Sequence, residues 1–169
     1  MALSRASGEW RASVNKSSHT IVGFDFGLRR IGVAVGQTLT GTASPLQTLR
    51  CIDGNPDWHI ISRIIAEWCP IAIVVGLPLT ADGTKTTLFG AVQLFIRHLE
   101  GRYRLPVHTI DEHLSSHEAE TRLMIPEYPV ARRTRAKKVR FSKEAIDRVA
   151  AQVILQTWLA EQAHDYNGR

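Results

Sequence analysis

Ile21-Val-Gly-Phe-Asp-Phe-Gly-Leu-Arg-Arg-Ile-Gly-Val-Ala-Val-Gly36 holds two short apolar runs, Ile21–Phe26 and Ile31–Val35, around a turn with Gly27, Leu28 and two arginines. Each run has strand length and is rich in β-branched or aromatic residues, so the stretch reads as an antiparallel strand pair. Asp25 is the anomaly. A carboxylate inside a hydrophobic strand costs several kcal/mol unless something pairs with it. Two readings are open: a cap for the turn that follows, or a metal or phosphate site with Gly23 and Gly27 leaving space for the ligand.

Outward from the hairpin, Gly41–Cys51 continues the sheet as a third strand, with Pro45 placing it at an edge or a bulge. Asp53-Gly-Asn-Pro-Asp57 reads as a turn that starts a helix, with Asn55 as N-cap, Pro56 at the first helical position and Asp57 in the first turn. Trp58, Ile61, Ile64, Ile65 and Trp68 then recur at helical spacing, and Pro70 ends the run. Ile71–Val75 is continuously apolar, as expected of a strand buried on both faces. A helix with Leu88, Ala91, Val92, Phe95, Ile96 and Leu99 on one side stops at Gly101, and Pro106–Ile110 is the next strand, closed by Asp111-Glu112. Ser115 or Ser116 caps a further helix. Ile146, Val149, Ala150, Val153, Ile154 and Thr157 line the stripe of the last helix. The outcome is an α/β three-layer fold around a central mixed sheet of five strands. The expected organisation is a flexible extension over 1–18, one domain over 19–162 with a mobile basic loop at 125–143, and a flexible tail over 163–169.

Composition narrows the function classes. The chain has 169 residues, 44% hydrophobic and 22% charged, which is ordinary for one globular domain. Its net charge of +5 favours a polyanionic partner. Two cysteines, Cys51 and Cys69, form neither a metal knuckle nor a disulfide framework, and both read as core residues of a protein in a reducing compartment. No apolar stretch reaches membrane-spanning length, so the expected location is the cytoplasm, with no membrane partner.

Three acids stand where packing and solubility do not need them. Asp25 lies inside the first strand. Asp111-Glu112 closes a strand at its carboxyl end, where open α/β sheets gather ligands. Asp147 shares a helix side with Ala150, Ile154 and Trp158, so it should face the sheet. Carboxylates converging from three parts of the chain repel one another unless cations relieve them. All-oxygen ligation suits Mg²⁺ or Mn²⁺. Two such ions about 4 Å apart activate a water and stabilise the leaving oxygen in phosphodiester hydrolysis. The competing reading gives each acid a separate cap or salt bridge.

The segment 125–143 carries Arg132, Arg133, Arg135, Lys137, Lys138, Arg140 and Lys143 against Glu127 alone, a net +6 that exceeds the charge of the whole chain. It is either a solvated loop or a phosphate grip delivered beside Asp147. Gly83-Thr-Lys85-Thr86 fails the P-loop frame, because the lysine does not directly follow the glycine. His113 and His117 are four apart with no third ligand evident, which leaves them as surface residues, with a place lining the site as the alternative for His113.

Phe24-Asp-Phe-Gly with Ile31–Gly36, Val75-Gly-Leu-Pro-Leu79 with Asp82-Gly83, Asp111-Glu112 with Leu114-Ser115, Glu118-Ala119, and Asp147 together resemble the YqgF/RuvX family of bacterial pre-16S rRNA nucleases, also called Holliday junction resolvase-like proteins. The resemblance spans about 20–159. It implies an RNase H-like fold and a cytoplasmic enzyme that trims the 5′ end of the 16S rRNA precursor. It also implies metal-dependent hydrolysis by Asp25, Glu112 and Asp147, with Asp111 assisting at the metals or only capping the following helix. The family usually has Arg after its Asp-Glu pair, where this chain has His113. Arg29, Arg30 and Arg132–Arg140 are then the expected phosphate contacts, with Lys85 a further candidate. The expected partners are precursor rRNA or branched DNA and the ribosome, with the protein a monomer or weak dimer. Rival readings are a dimeric junction resolvase, a non-catalytic nucleic-acid-binding factor, and an actin-like or sugar-kinase ATPase. The last closes two such domains around ATP, and this chain has length for one.

Overall fold

The computed structural model describes residues 18–78, 87–111 and 142–167. The opening stretch is a hairpin of β1 (Thr20–Phe26) and β2 (Arg30–Gln37), with Asp25 opposite Gly32 and Ile21 opposite Gly36. β3 (Thr42–Ile52) pairs antiparallel with β2, and a bulge opposite Val33 and Ala34 accommodates Pro45. β4 (Asn55–Pro56) adds two residues beside the end of β3. After helix α1 (Trp58–Trp68) comes β5 (Ala72–Leu77), parallel to β1; after helix α2 (Phe89–Tyr103) comes β6 (Val107–Asp111), parallel to β5. The strand order is β4-β3-β2-β1-β5-β6, a mixed sheet of six strands where the sequence reading had five.

The sixth strand comes from Asp53-Gly54. Both residues have positive φ, 50° and 76°, which makes a two-residue hairpin turn between β3 and β4. Asn55 and Pro56 therefore extend the sheet, and Asp57 is the N-cap of α1, its side chain accepting from the His59 N–H at 2.9 Å. α2 also runs past Gly101 to Tyr103, ending with Arg104 in the left-handed region. In α1 the cap is Cys69, whose N–H donates to the Ile65 carbonyl.

The sheet's two faces bury different helices. Val22, Phe24, Phe26, Ile31, Val33, Ile73 and Val75 pack against Ile61 and Ile64 of α1 and Val92, Phe95, Ile96 and Leu99 of α2. The alternate residues Ile21, Ala34, Ala43, Ala72 and Val74 pack against Ala151, Ile154, Leu155, Trp158 and Leu159 of α3 (Lys143–Asn167). One sheet with helices on both faces is the three-layer α/β architecture that the sequence leads one to expect.

Cys51 is half-buried on the α1/α2 side, but Cys69 is exposed at the end of α1 rather than in the core. Burial pushes the Cys51 thiol up from its ordinary value, so less of it is thiolate at neutral pH. A disulfide reagent at pH 8 should modify Cys69 first, and Cys69→Ser should remove the fast phase. A fast phase that survives Cys69→Ser would contradict this order.

Candidate active site

β1 delivers Asp25 to its carboxyl end, half-buried between the buried Phe24 and Phe26. Alternation decides its direction: Ile21 and Gly23 face α3, so Asp25 does too. Its cross-strand partner Gly32 shares that face. There the backbone of α3 comes so close that a Cβ on Gly32 would lie 1.9 Å from the Asp147 carbonyl oxygen. Gly32 thus seats Asp147 over the strand position paired with Asp25.

The neighbouring glycines serve the same packing. A Cβ on Gly23 would meet Leu155 Cβ at 2.9 Å, and one on Gly36 would meet Leu159 Cδ1 at 2.9 Å. Gly27 is required by its own turn, where a Cβ would lie 2.7 Å from the Arg30 carbonyl oxygen. The space expected for a ligand at Gly23 and Gly27 is therefore filled by α3 and by the turn. Side chains hold the helix in register. Thr48 donates to the Glu144 carbonyl at 2.7 Å, Gln152 donates to the Ala43 carbonyl at 2.8 Å, and Gln156 accepts from the Ala43 N–H at 2.9 Å.

Asp147 faces the sheet as the helical spacing required, its side chain 22% exposed. Arg30 Nε donates to its Oδ2 at 2.5 Å. That hydrogen bond and then the Asp147 charge raise the Arg30 pKa further above its ordinary value, so the guanidinium stays charged at every working pH. Arg50 is directly opposite Arg30 in the β2–β3 ladder, so two like charges share one face. The start of α3 answers them. Glu144 lies 4.0 Å from Arg50, and its carboxyl is held below its ordinary value chiefly by its own backbone N–H, with Arg30, Arg50 and Ser142 acting the same way.

Arg29, Arg30 and Arg50 line an open cleft of about 720 Å³ with Leu28, Ile52 and Glu144. Arg50 is the residue that sequence reasoning missed. Its signal was register, since only the β2–β3 pairing places it beside Arg30. Asp111 is exposed at the end of β6, on the side of Val107 that faces α2 and not α3. Glu112, Lys85, His113, Arg132, Arg133, Arg135, Lys137, Lys138 and Arg140 lie outside the described residues. Among the described residues, no three His, Cys, Asp or Glu side chains gather closely enough to hold a metal ion.

The family model described as "RuvX: Holliday junction resolvase" matches residues 19–161. The chain belongs to the RuvX family. A protein of Nitrosococcus oceani named "Putative pre-16S rRNA nuclease" is 48% identical over 142 residues, covering 84% of this chain and 87% of its own. A protein of the same name from Methylococcus capsulatus is 47% identical over 141 residues, covering 83% of this chain and 88% of its own. Among solved structures, "T. thermophilus RuvC in complex with Holliday junction substrate" aligns with a TM-score of 0.49 at 14% identity, over 86% of this chain and 96% of that one. The RuvX match begins just before β1 and ends within α3, so it contains both Asp25 and Asp147. No helix among the described residues is long and apolar enough to cross a membrane.

Proposed function

We propose that this RuvX-family chain is a divalent-metal-dependent nuclease that processes the 5′ end of precursor 16S rRNA in the cytoplasm during ribosome biogenesis. The observation that carries the reading is the seating of Asp147 on Gly32, the cross-strand partner of Asp25. Relatives 41–48% identical are named for the same substrate.

The donor chemistry fits a hard cation. Asp25 and Asp147 offer carboxylate oxygens from two facing elements, which suits Mg²⁺ or Mn²⁺. Glu112 is the third acid proposed for the site. When bound, such an ion lowers the pKa of water and stabilises charge at the transferring phosphoryl group. Arg30 occupies Oδ2 of Asp147, so it fixes that carboxylate's orientation, and Oδ1 is the oxygen left to face a cation. Arg29 and the Arg132–Arg140 run hold backbone phosphates, which supplies affinity and not sequence choice.

Wild type and Asp147→Asn should be compared in Mg²⁺ and Mn²⁺ on precursor rRNA and on four-way DNA. Cleavage of the rRNA by wild type and its loss in the variant is the expected result. Equal activity of the two proteins would sink the assignment. A second reading, junction resolution, is favoured by the description of the matching family. It requires symmetric cuts by a dimer, so preference for four-way DNA together with a stable dimer in solution would select it.

A further inference from the structure

We infer that the cleft beside Asp147 is a binding site for one single-stranded RNA segment, with Arg50 on its phosphates and Leu28 and Ile52 against a base. The cleft is bounded by the β1–β2 turn, the β3–β4 turn and the start of α3. Its walls are fixed to each other: the Cys51 N–H donates to the Arg29 carbonyl at 2.9 Å, and the Gly54 N–H to the Leu28 carbonyl at 3.2 Å. It is therefore formed before any ligand arrives.

Three observations define the occupant. Arg29, Arg30 and Arg50 line the cleft with Asp53 and Glu144, three cations against two acids, and Arg30 stands between the cleft and Asp147, which it binds. Arg30 is held by Asp147, whereas Arg50, directly opposite it, is only 4.0 Å from Glu144 with its side chain 87% exposed, so Arg50 is the cation that an incoming phosphate can reach. Leu28 and Ile52 are 53% and 80% exposed, two of the exposed large apolar side chains among the described residues. A Cβ on Gly54 would lie 3.4 Å from Leu28 Cδ2, so Leu28 rests on the turn that carries Ile52. Apolar side chains beside guanidinium groups suit a strand whose bases are free, because a base face packs on them while phosphates meet the cations. A duplex keeps its bases stacked inside and offers that platform nothing. The location of the cleft next to the scissile bond rests on the nuclease reading; binding by the cleft does not.

The test is fluorescence anisotropy in EDTA, with a short single-stranded RNA and the duplex of the same sequence, between about 50 and 200 mM salt. Arg50→Ala should lower the slope of log affinity against log salt for the single strand by about 0.7, one phosphate contact. Leu28→Ser with Ile52→Ser should weaken the single strand about fivefold at unchanged slope and leave the duplex unaffected. Ile52→Trp should tighten the single strand, a gain that damage to the fold cannot mimic. No single-strand binding by wild type, no response to the Leu28, Ile52 and Arg50 changes, or equal losses on the duplex would each overturn the proposal. Because metal and cleavage are absent, a cleft that binds as expected in a protein that cuts nothing in Mn²⁺ refutes only the nuclease reading. Wild-type cleavage with no effect of these variants refutes only the cleft.

Discussion

Gly32→Ala should destabilise the protein by more than about 3 kcal/mol, which for a chain of this length lowers Tm by about 10 °C. Overpacking a core usually costs about 1–3 kcal/mol because flexible side chains give way. Here the obstacle is the Asp147 carbonyl oxygen, at 1.9 Å from the new Cβ, on a helix held to β3 by Thr48, Gln152 and Gln156. Neither backbone can move without breaking those bonds or the β1–β2 ladder. The opposite sign is expected at Gly101. It lies in α2 with no heavy atom within 4 Å of an added Cβ, so Gly101→Ala should stabilise by about 0.5–1 kcal/mol. Thermal denaturation of the two variants beside wild type reads both effects. Gly32→Ala melting with wild type would mean that α3 does not seat on the hairpin as described, and the placement of Asp147 would fall with it. Below its midpoint, the Gly32→Ala protein should still lose cleavage, because relief of the clash lifts Asp147 away from the Asp25 strand.

Much of this was legible from the residues. Apolar runs of strand length and stripes of helical period marked β1, β2, β5 and the three helices, because in each the burial pattern is local. The spacing of Asp147 with Ala150, Ile154 and Trp158 correctly placed it on the sheet side of α3. The glycines were misjudged for a readable reason. Gly32, Ala34 and Gly36 alternate along β2 on one face, and Gly23 lies on the same face of β1. A strip of such small side chains admits a helix backbone rather than a ligand. Asp53-Gly54 was the other readable signal, since Asp-Gly between short extended runs is a hairpin turn. The competing signal of Asn55-Pro56-Asp57, a plausible helix start, sets the N-cap two residues too early. Arg50 was beyond sequence: nothing local links it to Arg30, and a register with a bulge at Val33 and Ala34 sets the pairing.

Asp25→Asn should reduce cleavage by at least about 100-fold, more than any loss of folded protein accounts for. The magnitude has a floor, since loss of even an outer partner of a metal ligand costs about 10–100-fold, and Asp25 is proposed to touch the ion itself. Asparagine keeps the shape and one carbonyl oxygen but loses the negative charge that a hard cation needs. A structural role predicts something different. If Asp25 served only to cap the turn after β1, the variant would melt earlier in EDTA, and its remaining activity would follow its folded fraction. The metal role predicts a difference in melting between the two proteins that grows when Mn²⁺ is added, whatever difference is present in EDTA. Wild type should then gain Tm with ion concentration, because the ion binds the folded state, and the variant should gain little. This readout needs no turnover, so it separates a wrong substrate from a wrong site. A Tm that rises equally in both proteins would remove Asp25 from the metal site even if the variant proved inactive. A rise in wild type alone, with no cleavage of any nucleic acid offered, would keep the site and leave only the substrate to be replaced.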